Sequence, residues 1–302
     1  MTHKFKTLIW MFVLYLFAIS IGVFAFQYVD SQSLIIRLLI ADVVSTLVIW
    51  MFSLALHNAS VYDPYWSVIP VVMLTGVIIH LNLSINLAIV LLYVAILVWA
   101  VRLTFNWAKN WTGFKEQDWR YTMIYQKSPK LYFLSNLFGI QMFPTLIVFV
   151  QLIGATLFIQ SNPEVNVFTW AGFLIVIGSA FIQLIADQQM CDFKERTKGQ
   201  KKCIEEGLWK YSRHPNYFGE IMVWYGVYIM YFGTVLKIDI LFIAPILMNA
   251  LFLFISIPMM ERKILRTRPE YKDYQNRVSM LVPLPRKHEA SNVIQEDLDK
   301  NH

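Results

Sequence analysis

Residues 84–105 read SINLAIVLLYVAILVWAVRLTF and contain a single charged side chain, Arg102. A predominantly apolar run of about 20 residues is long enough to cross the hydrocarbon core of a bilayer as an α-helix. Further apolar runs occupy residues 8–26, 34–56, 67–80, 138–159, 167–187, 217–234 and 239–260. The sequence therefore predicts an all-α, polytopic integral membrane helix bundle. It has about eight transmembrane helices, or seven if the short run at 67–80 does not span.

The composition of the 302-residue chain fits a membrane protein. Hydrophobic residues make up 57% and charged residues 15%, whereas soluble domains average roughly 45–50% and about 25%. These proportions exclude a disordered chain, a nucleic-acid-binding module and a water-soluble enzyme. We expect residues 1–287 to form one membrane domain. The polar segment 288–302 carries four carboxylates and is predicted to be a disordered tail.

The basic residues predict the orientation in the membrane. They cluster at the amino terminus, between the fourth and fifth spans, between the sixth and seventh, and after the eighth. With eight spans and both termini on one side, these clusters share a face, while Arg37 and Lys237 lie near the other. Because cytoplasmic loops are enriched in lysine and arginine, both termini are predicted to be cytoplasmic. Asp42 lies within the second span, and Arg37 is its expected partner.

The most informative polar segment is GLWKYSRHPNYFGE at residues 207–220. Its proline suits the first turn of a helix, which places Asn216, Gly219 and Glu220 on one helical face. Gly219 leaves room for a close approach to the backbone. The Arg-His pair before the proline adjoins a helix N-terminus, which favours phosphate. The segment therefore predicts a site for an anionic, nucleotide-like ligand. For its basic residues alone, contact with anionic lipid headgroups is the alternative.

Three further polar segments lie on the predicted cytoplasmic side. One holds Asn110 and Arg120 among tryptophans after the fourth span, one holds Asp63 before the third span, and one holds Glu261 at the end of the eighth. Arg102, Asp187 and Glu220 lie inside or at the ends of spans on the same side, where ionisable residues are costly, and are therefore functional candidates. For Asp63 a helix-capping role is the structural alternative.

These segments resemble the steroid 5-alpha-reductase family, and in particular its bacterial branch, long known only as a domain of unknown function. The resemblance covers roughly residues 58–285. The residues that carry it most specifically are 186–189 (ADQQ), 207–220, Glu261, Tyr271 and Tyr274. The carboxy-terminal part is shared with isoprenylcysteine carboxyl and phospholipid methyltransferases, in which it holds S-adenosylmethionine. The block from Arg102 to Arg120 and the Asp63 loop favour the reductases.

The resemblance implies an NADPH-dependent reductase of a conjugated C=C bond, as in an enone, in a hydrophobic lipid-like or steroid-like substrate that enters from the bilayer. A methyltransferase using S-adenosylmethionine is the alternative, and a non-enzymatic membrane protein is the second alternative. Residues 8–105 would form the substrate side and residues 106–287 the cofactor-binding part. The implied NADPH-binding residues are Asn110, Arg120, Tyr121, Asp187, Arg196, Lys198, Tyr211, Arg213, His214, Asn216, Tyr217, Glu220 and Glu261. The site would face the cytoplasm, and the bacterial branch implies the inner membrane.

Reduction of an enone also needs a proton donor near the carbonyl oxygen, where negative charge develops. In the family a glutamate and a tyrosine hold that oxygen. The acidic position best matches Asp63, and the tyrosine position falls on Trp99, with Tyr62 and Tyr65 as substitutes. No metal ligand set is predicted, because the two cysteines lack CxxC spacing and no Cys/His cluster occurs.

Overall fold

A computed structural model describes residues 3–287, and its regular secondary structure over that range is entirely helical. Seven helical stretches are long and apolar enough to cross a membrane. They are His3–Tyr28, Leu34–Ala55, Ala59–Leu81, Leu87–Asn110, Pro129–Ser161, Val167–Thr197 and Ile240–Thr267. The prediction of a polytopic membrane helix bundle is confirmed. The segment 288–302, predicted to be a disordered tail, lies outside the described residues.

The first four stretches follow the predicted spans closely. Helices α1 (His3–Tyr28) and α2 (Leu34–Ala55) are joined by a short turn. The run at 67–80 is longer in the structure than in the sequence pattern, because a 3₁₀ turn at Ala59–Tyr62 precedes α3 (Tyr65–Leu81). Helix α4 (Leu87–Asn110) begins at the side-chain cap Asn86, whose Oδ1 accepts from the backbone N–H of Ile89.

The middle of the chain contains irregular helical geometry. Helix α5 (Trp119–Lys127) is amphipathic and lies outside the seven stretches. The next stretch contains the single turn α6 (Tyr132–Leu134), a π-helix at Ser135–Met142 and then α7 (Phe143–Ser161). A π-helical insertion is rare and is often found at functional sites.

The last part of the chain holds α8 (Val167–Thr197), α9 (Pro215–Val235), α10 (Ile243–Ala250), α11 (Ile257–Thr267) and α12 (Tyr271–Arg277). Helix α9 corresponds to the predicted span 217–234 but is not among the seven apolar stretches. Its tyrosines and Glu220 make it more polar, although each of its residues is buried or half-buried. This helix accounts for the difference between the eight predicted spans and the seven stretches that are long and apolar enough to cross a membrane.

The described chain forms two compact units. The first comprises residues 3–177 and Trp224–Pro245, and the second comprises Gly178–Val223 and residues 246–287. Each unit is described separately below.

The expected Asp42–Arg37 pair in the first unit is wrong. Asp42 is 1% exposed, and its Oδ1 accepts a hydrogen bond from the Tyr65 hydroxyl at 2.8 Å. Arg37 instead donates through Nε to the carbonyl of Phe26 at 3.0 Å and lies over the Phe26 ring. A backbone carbonyl and an aromatic face satisfy the guanidinium near the end of α1, so it does not need a carboxylate.

Candidate functional site

In the first unit, Asp63 and Tyr121 meet although they lie 58 residues apart in sequence. Asp63 ends the 3₁₀ turn, and Tyr121 lies in the first turn of α5. The phenol of Tyr121 donates to Oδ1 of Asp63 at 2.5 Å. The residue at the N-cap position of α3 is Pro64, and no side chain caps that helix. Asp63 therefore makes a long-range tertiary hydrogen bond to Tyr121 and does not cap α3.

Two chain segments are hydrogen-bonded together beside this pair. The buried Asn58 amide donates to the carbonyls of Phe114 at 2.8 Å and Glu116 at 2.9 Å. The backbone N–H of Ala59 donates to Oε1 of Gln117 at 3.2 Å. These bonds fix the loop before Asp63 against the loop before α5, so the Asp63–Tyr121 contact rests on a rigid scaffold.

The charges around Tyr121 keep its phenol protonated. Burial raises the pKa of Tyr121, the negative charge of Asp63 raises it further, and the nearby Arg120 guanidinium opposes both. Arg120 forms a two-point ion pair with Asp118, with Nε and Nη2 at 2.8 and 3.1 Å from the carboxylate oxygens. Its guanidinium carbon lies 5.5 Å from the centre of the Tyr121 ring. Tyr121 is thus a proton donor held between a carboxylate and a cation.

The other predicted catalytic residues have different partners. The Tyr62 hydroxyl pairs with Oγ1 of Thr145 at 2.8 Å, and the Tyr65 hydroxyl pairs with Asp42. Trp99 is fully buried and packs edge-on against Trp224, with ring centroids 5.0 Å apart. The tyrosine that the structure brings to Asp63 is therefore Tyr121, which the sequence assigned to the cofactor.

In the second unit, Glu261 is the centre of a buried network. Its Oε1 accepts from Nε of Arg213 at 2.7 Å and from the Tyr271 hydroxyl at 3.1 Å, and it lies 3.1 Å from Nε2 of His214. Its Oε2 accepts from the Gln275 amide at 2.7 Å. The sequence singled out four of these five residues, and the structure places them in one cluster.

Arg213 joins the loop before α9 to α12 and to the segment after it. Its Nη1 donates to the carbonyls of Gln275 at 2.9 Å and Val278 at 2.8 Å, and its backbone N–H donates to Ser279 at 2.9 Å. The residue is 8% exposed. All hydrogen bonds described for its guanidinium go to protein, so the predicted phosphate contact of Arg213 stays a prediction that would require these bonds to rearrange.

His214 and Tyr217 extend this network along α9. Their rings stack 5.2 Å apart with an interplanar angle of 5°. Burial lowers the pKa of His214, although the hydrogen bond and charge of Glu261 act in the opposite direction. The imidazole is therefore neutral at neutral pH and donates through Nε2 to Glu261.

Helices α8 and α9 approach closely at Gly219. A Cβ at this position would lie 2.5 Å from Cγ of Gln183 and 2.9 Å from the carbonyl oxygen of Ser179. The predicted close approach to the Gly219 backbone is confirmed, and the approaching group is a neighbouring helix. Asn216 and Glu220 flank the glycine, half-buried and buried respectively.

Gln183 is a candidate site residue that the sequence reasoning missed. Its side chain is 0% exposed, and neither Oε1 nor Nε2 has a hydrogen-bond partner within residues 3–287. Asp187 follows one helical turn later on α8 and is half-buried. A glutamine in the middle of an apolar run, four residues before Asp187, was the available signal.

The remaining predicted cofactor residues are exposed and have local partners. Arg196 pairs with Glu206 near the end of α8, and Lys198 follows that helix with a positive φ of 22°. Tyr211 is 42% exposed, with the Lys210 amine 5.9 Å from its ring centre. Asn110 ends α4, and its amide donates to the carbonyl of Asn106 at 2.8 Å.

The chain belongs to the family described as "Protein of unknown function (DUF1295)", which matches residues 49–278. This family is related to the steroid 5-alpha-reductases. Uncharacterized protein C594.04c of Schizosaccharomyces pombe is 23% identical over 289 residues, which cover 86% of this chain and 82% of that protein. Steroid 5-alpha-reductase DET2 of Gossypium hirsutum is 35% identical over 68 residues, or 22% of this chain and 26% of that protein. No solved structure matches the chain.

Proposed function

We propose that the protein is a membrane-embedded, NADPH-dependent reductase of a conjugated C=C bond in a hydrophobic enone that enters from the bilayer. The partial similarity to a steroid 5-alpha-reductase supports the class of reaction. The observation that carries the proposal is the unpartnered, fully buried amide of Gln183.

Gln183 fits the nicotinamide end of the cofactor. A buried polar group without a partner costs about 1–3 kcal/mol, and in Gln183 both the carbonyl and the NH₂ lack one. A second primary amide complements both groups at once, and the carboxamide of NADPH is such an amide. Asn216 and Glu220 flank Gly219, which packs on Gln183, and are suited to the carboxamide or the ribose.

The exposed cations supply candidates for the phosphates. Arg196 and Lys198 are exposed at the end of α8. The ion pair of Arg196 with Glu206 is a surface pair, which contributes at most about 1 kcal/mol, so Arg196 can exchange Glu206 for a phosphate. Arg213 and Glu261 act as positioning residues in this proposal, because they hold the loop before α9. We place this cofactor side in the cytoplasm, as the basic loops predict.

We assign the chemistry at the substrate to Asp63 and Tyr121. When bound, NADPH supplies the hydride that adds to the β carbon of the enone. When the carbonyl oxygen of the enone binds, the single O–H of Tyr121 turns from Asp63 to that oxygen, and its proton then passes to the enolate that hydride addition produces. Solvent reprotonates the phenolate that remains. Before the substrate binds, the Asp63 carboxylate holds the phenol in place, and the Arg120–Asp118 pair fixes the first turn of α5. The reduced product therefore gains one hydride and one proton.

The test is the ligand that the full-length protein retains. Mass spectrometry of detergent-purified protein should detect NADP(H), and Gln183→Met, which keeps the shape but removes the amide, should lower its retention. Gln188→Met, on the exposed side of the same helix, is the matched control and should retain it. The Gln183 amide also complements an adenine edge, so retention of S-adenosylmethionine instead would favour the methyltransferase and overturn the proposal.

A further inference from the structure

Three polar residues line one side of the irregular helix between α5 and α7. Tyr132 lies in α6, and Asn136 and Gln141 lie in the π-helix. Residues five apart stack over each other in a π-helix, as residues four apart do in an α-helix. Tyr132, Asn136 and Gln141 therefore share one face, and Nε2 of Gln141 donates to Oδ1 of Asn136 at 2.8 Å.

This face is anchored to Ser53 of α2. The Ser53 hydroxyl accepts from the amides of Asn136 and Gln141, each at 2.9 Å, and donates to the carbonyl of Trp50 at 2.7 Å. Asn136 and Gln141 are 0% exposed and Ser53 is 1% exposed. The cluster is therefore built into the protein interior within a stretch long and apolar enough to span the membrane.

Two polar atoms at this face have no partner within residues 3–287. They are Oε1 of Gln141 and the hydroxyl of Tyr132, and both atoms are buried. Exchanging the oxygen and nitrogen of the Gln141 amide moves the unsatisfied position but does not remove it. A ligand hydroxyl both donates and accepts, so it can pair with either orientation of the amide or with the phenol.

The surroundings are apolar. Tyr132 packs against the buried cluster of Ala59, Tyr121 and Ile140. On the outer side of the same helical stretch, Phe133, Phe138 and Phe143 are 46%, 60% and 41% exposed. In a membrane these rings face lipid, so this helical stretch borders the bilayer on one side and the buried polar cluster on the other.

We propose that Tyr132 and Gln141 form a subsite for the hydroxyl group of a hydrophobic alcohol that reaches it from the bilayer. The subsite lies within the first unit and does not depend on Gln183 or on NADPH. It goes beyond the reductase function, since it assigns a ligand group to residues outside the acid pair and the cofactor site.

The experiment uses the full chain in phosphatidylcholine nanodiscs without NADPH. A diazirine-bearing hexadecanol is photocrosslinked to the protein, with unlabelled hexadecanol or its methyl ether as competitor. We expect hexadecanol to compete and the ether to compete about fivefold less well, the equivalent of one neutral hydrogen bond. Competitor concentrations are corrected for partition into protein-free nanodiscs.

Tyr132→Phe removes the unpartnered hydroxyl without breaking a described hydrogen bond, so the variant should fold normally and lose about fivefold in crosslinking. Tyr125→Phe is the matched control, because Tyr125 packs edge-on against Tyr132 and is 48% exposed. Gln141→Met tests the second group. Equal competition by alcohol and ether, or unchanged crosslinking in Tyr132→Phe, would overturn the subsite while leaving the NADPH measurement unaffected.

Discussion

The phenol of Tyr121 donates a 2.5 Å hydrogen bond to the carboxylate of Asp63. Tyr121 is 9% exposed, and burial together with the charge of Asp63 raises the pKa of its phenol. This hydrogen bond fixes the position of the phenol oxygen before a substrate arrives. When a substrate binds, the O–H of Tyr121 turns from Asp63 to the developing enolate oxygen, which requires a donor held in place.

Tyr121→Phe should abolish most of the reduction. The variant keeps the ring that packs on Ala59 and Ile140 but loses the proton. General acid catalysis typically contributes about 10²–10⁴-fold, so single-turnover hydride transfer should slow by about that factor. The assay uses a panel of enones that includes 3-oxo-4-ene steroids. Tyr125→Phe, on the exposed side of the same helix, should react at the wild-type rate; equal slowing of both variants contradicts the assignment.

Asp63→Asn should show whether the negative charge of Asp63 is needed in addition to its hydrogen bond with Tyr121. The amide oxygen can still accept from Tyr121, so the fold and NADPH affinity should stay near wild type. A neutral hydrogen bond of about half the strength replaces the charge-assisted one, so the phenol is held less firmly and single-turnover hydride transfer should slow about tenfold. If Asp63 were only a structural group, asparagine would replace it almost silently. Wild-type single-turnover rates in Asp63→Asn would therefore remove the carboxylate from the mechanism.

The sequence predicted the spans well because lipid imposes a length and an apolar composition on each helix. It also singled out Asp63, Tyr121 and Glu261 as candidate site residues, and the structure gives each of them buried or half-buried hydrogen-bond partners. It did not pair Asp63 with Tyr121, because 58 residues separate them and no local pattern encodes a tertiary contact. Trp99 was chosen by its spacing from Arg102, yet its ring packs on Trp224.

The Arg213 network shows a second limit of reading the sequence alone. The position of Arg213 before a helix N-terminus predicts an anion-binding residue. The structure buries it among Glu261 and two backbone carbonyls. The partners come from α11 and the segment around α12, which the motif itself does not contain. Gln183 was missed for a related reason, since the sequence shows a glutamine in an apolar run but not that its amide lacks a partner.

Arg213→Ala should destabilise the protein and not merely weaken cofactor binding. The change leaves the buried Glu261 without its cation and two carbonyls without donors. Removing one partner of a buried ion pair typically costs about 3–5 kcal/mol. Thermal unfolding of the detergent-purified protein measures the loss. Arg262→Ala is the control, since Arg262 follows Glu261 but is exposed; equal melting temperatures for Arg213→Ala and wild type contradict the structural role.

Stability should depend on pH through His214. Burial lowers the folded-state pKa of His214 from its ordinary value of 6.5. Below about pH 6.5 the unfolded chain binds a proton that the folded state resists, so stability falls as the pH drops from 6.5 toward the folded-state pKa. Above about pH 6.5 the imidazole is neutral in both the folded and the unfolded state, so His214 contributes nothing to the pH dependence of stability there. His214→Gln retains an N–H donor for Glu261 and should flatten the melting-temperature profile between about pH 7 and 5. An unchanged slope in this variant assigns the pH dependence to another group.

The orientation of the bundle can be tested with two single cysteines. Ser161 ends α7 and Gln200 lies in the loop after α8, and both residues are exposed. They flank the stretch Val167–Thr197, which is long and apolar enough to cross the membrane. In a background lacking Cys191 and Cys203, Ser161→Cys and Gln200→Cys should therefore react with an impermeant thiol reagent from opposite sides. The basic loop around Gln200 predicts that this residue is cytoplasmic, so in intact cells only Ser161→Cys should be labelled.

Permeabilised cells control for reactivity, because both variants should then be labelled. Labelling of both cysteines in intact cells would contradict a membrane crossing by α8, and labelling of Gln200→Cys alone would reverse the predicted orientation.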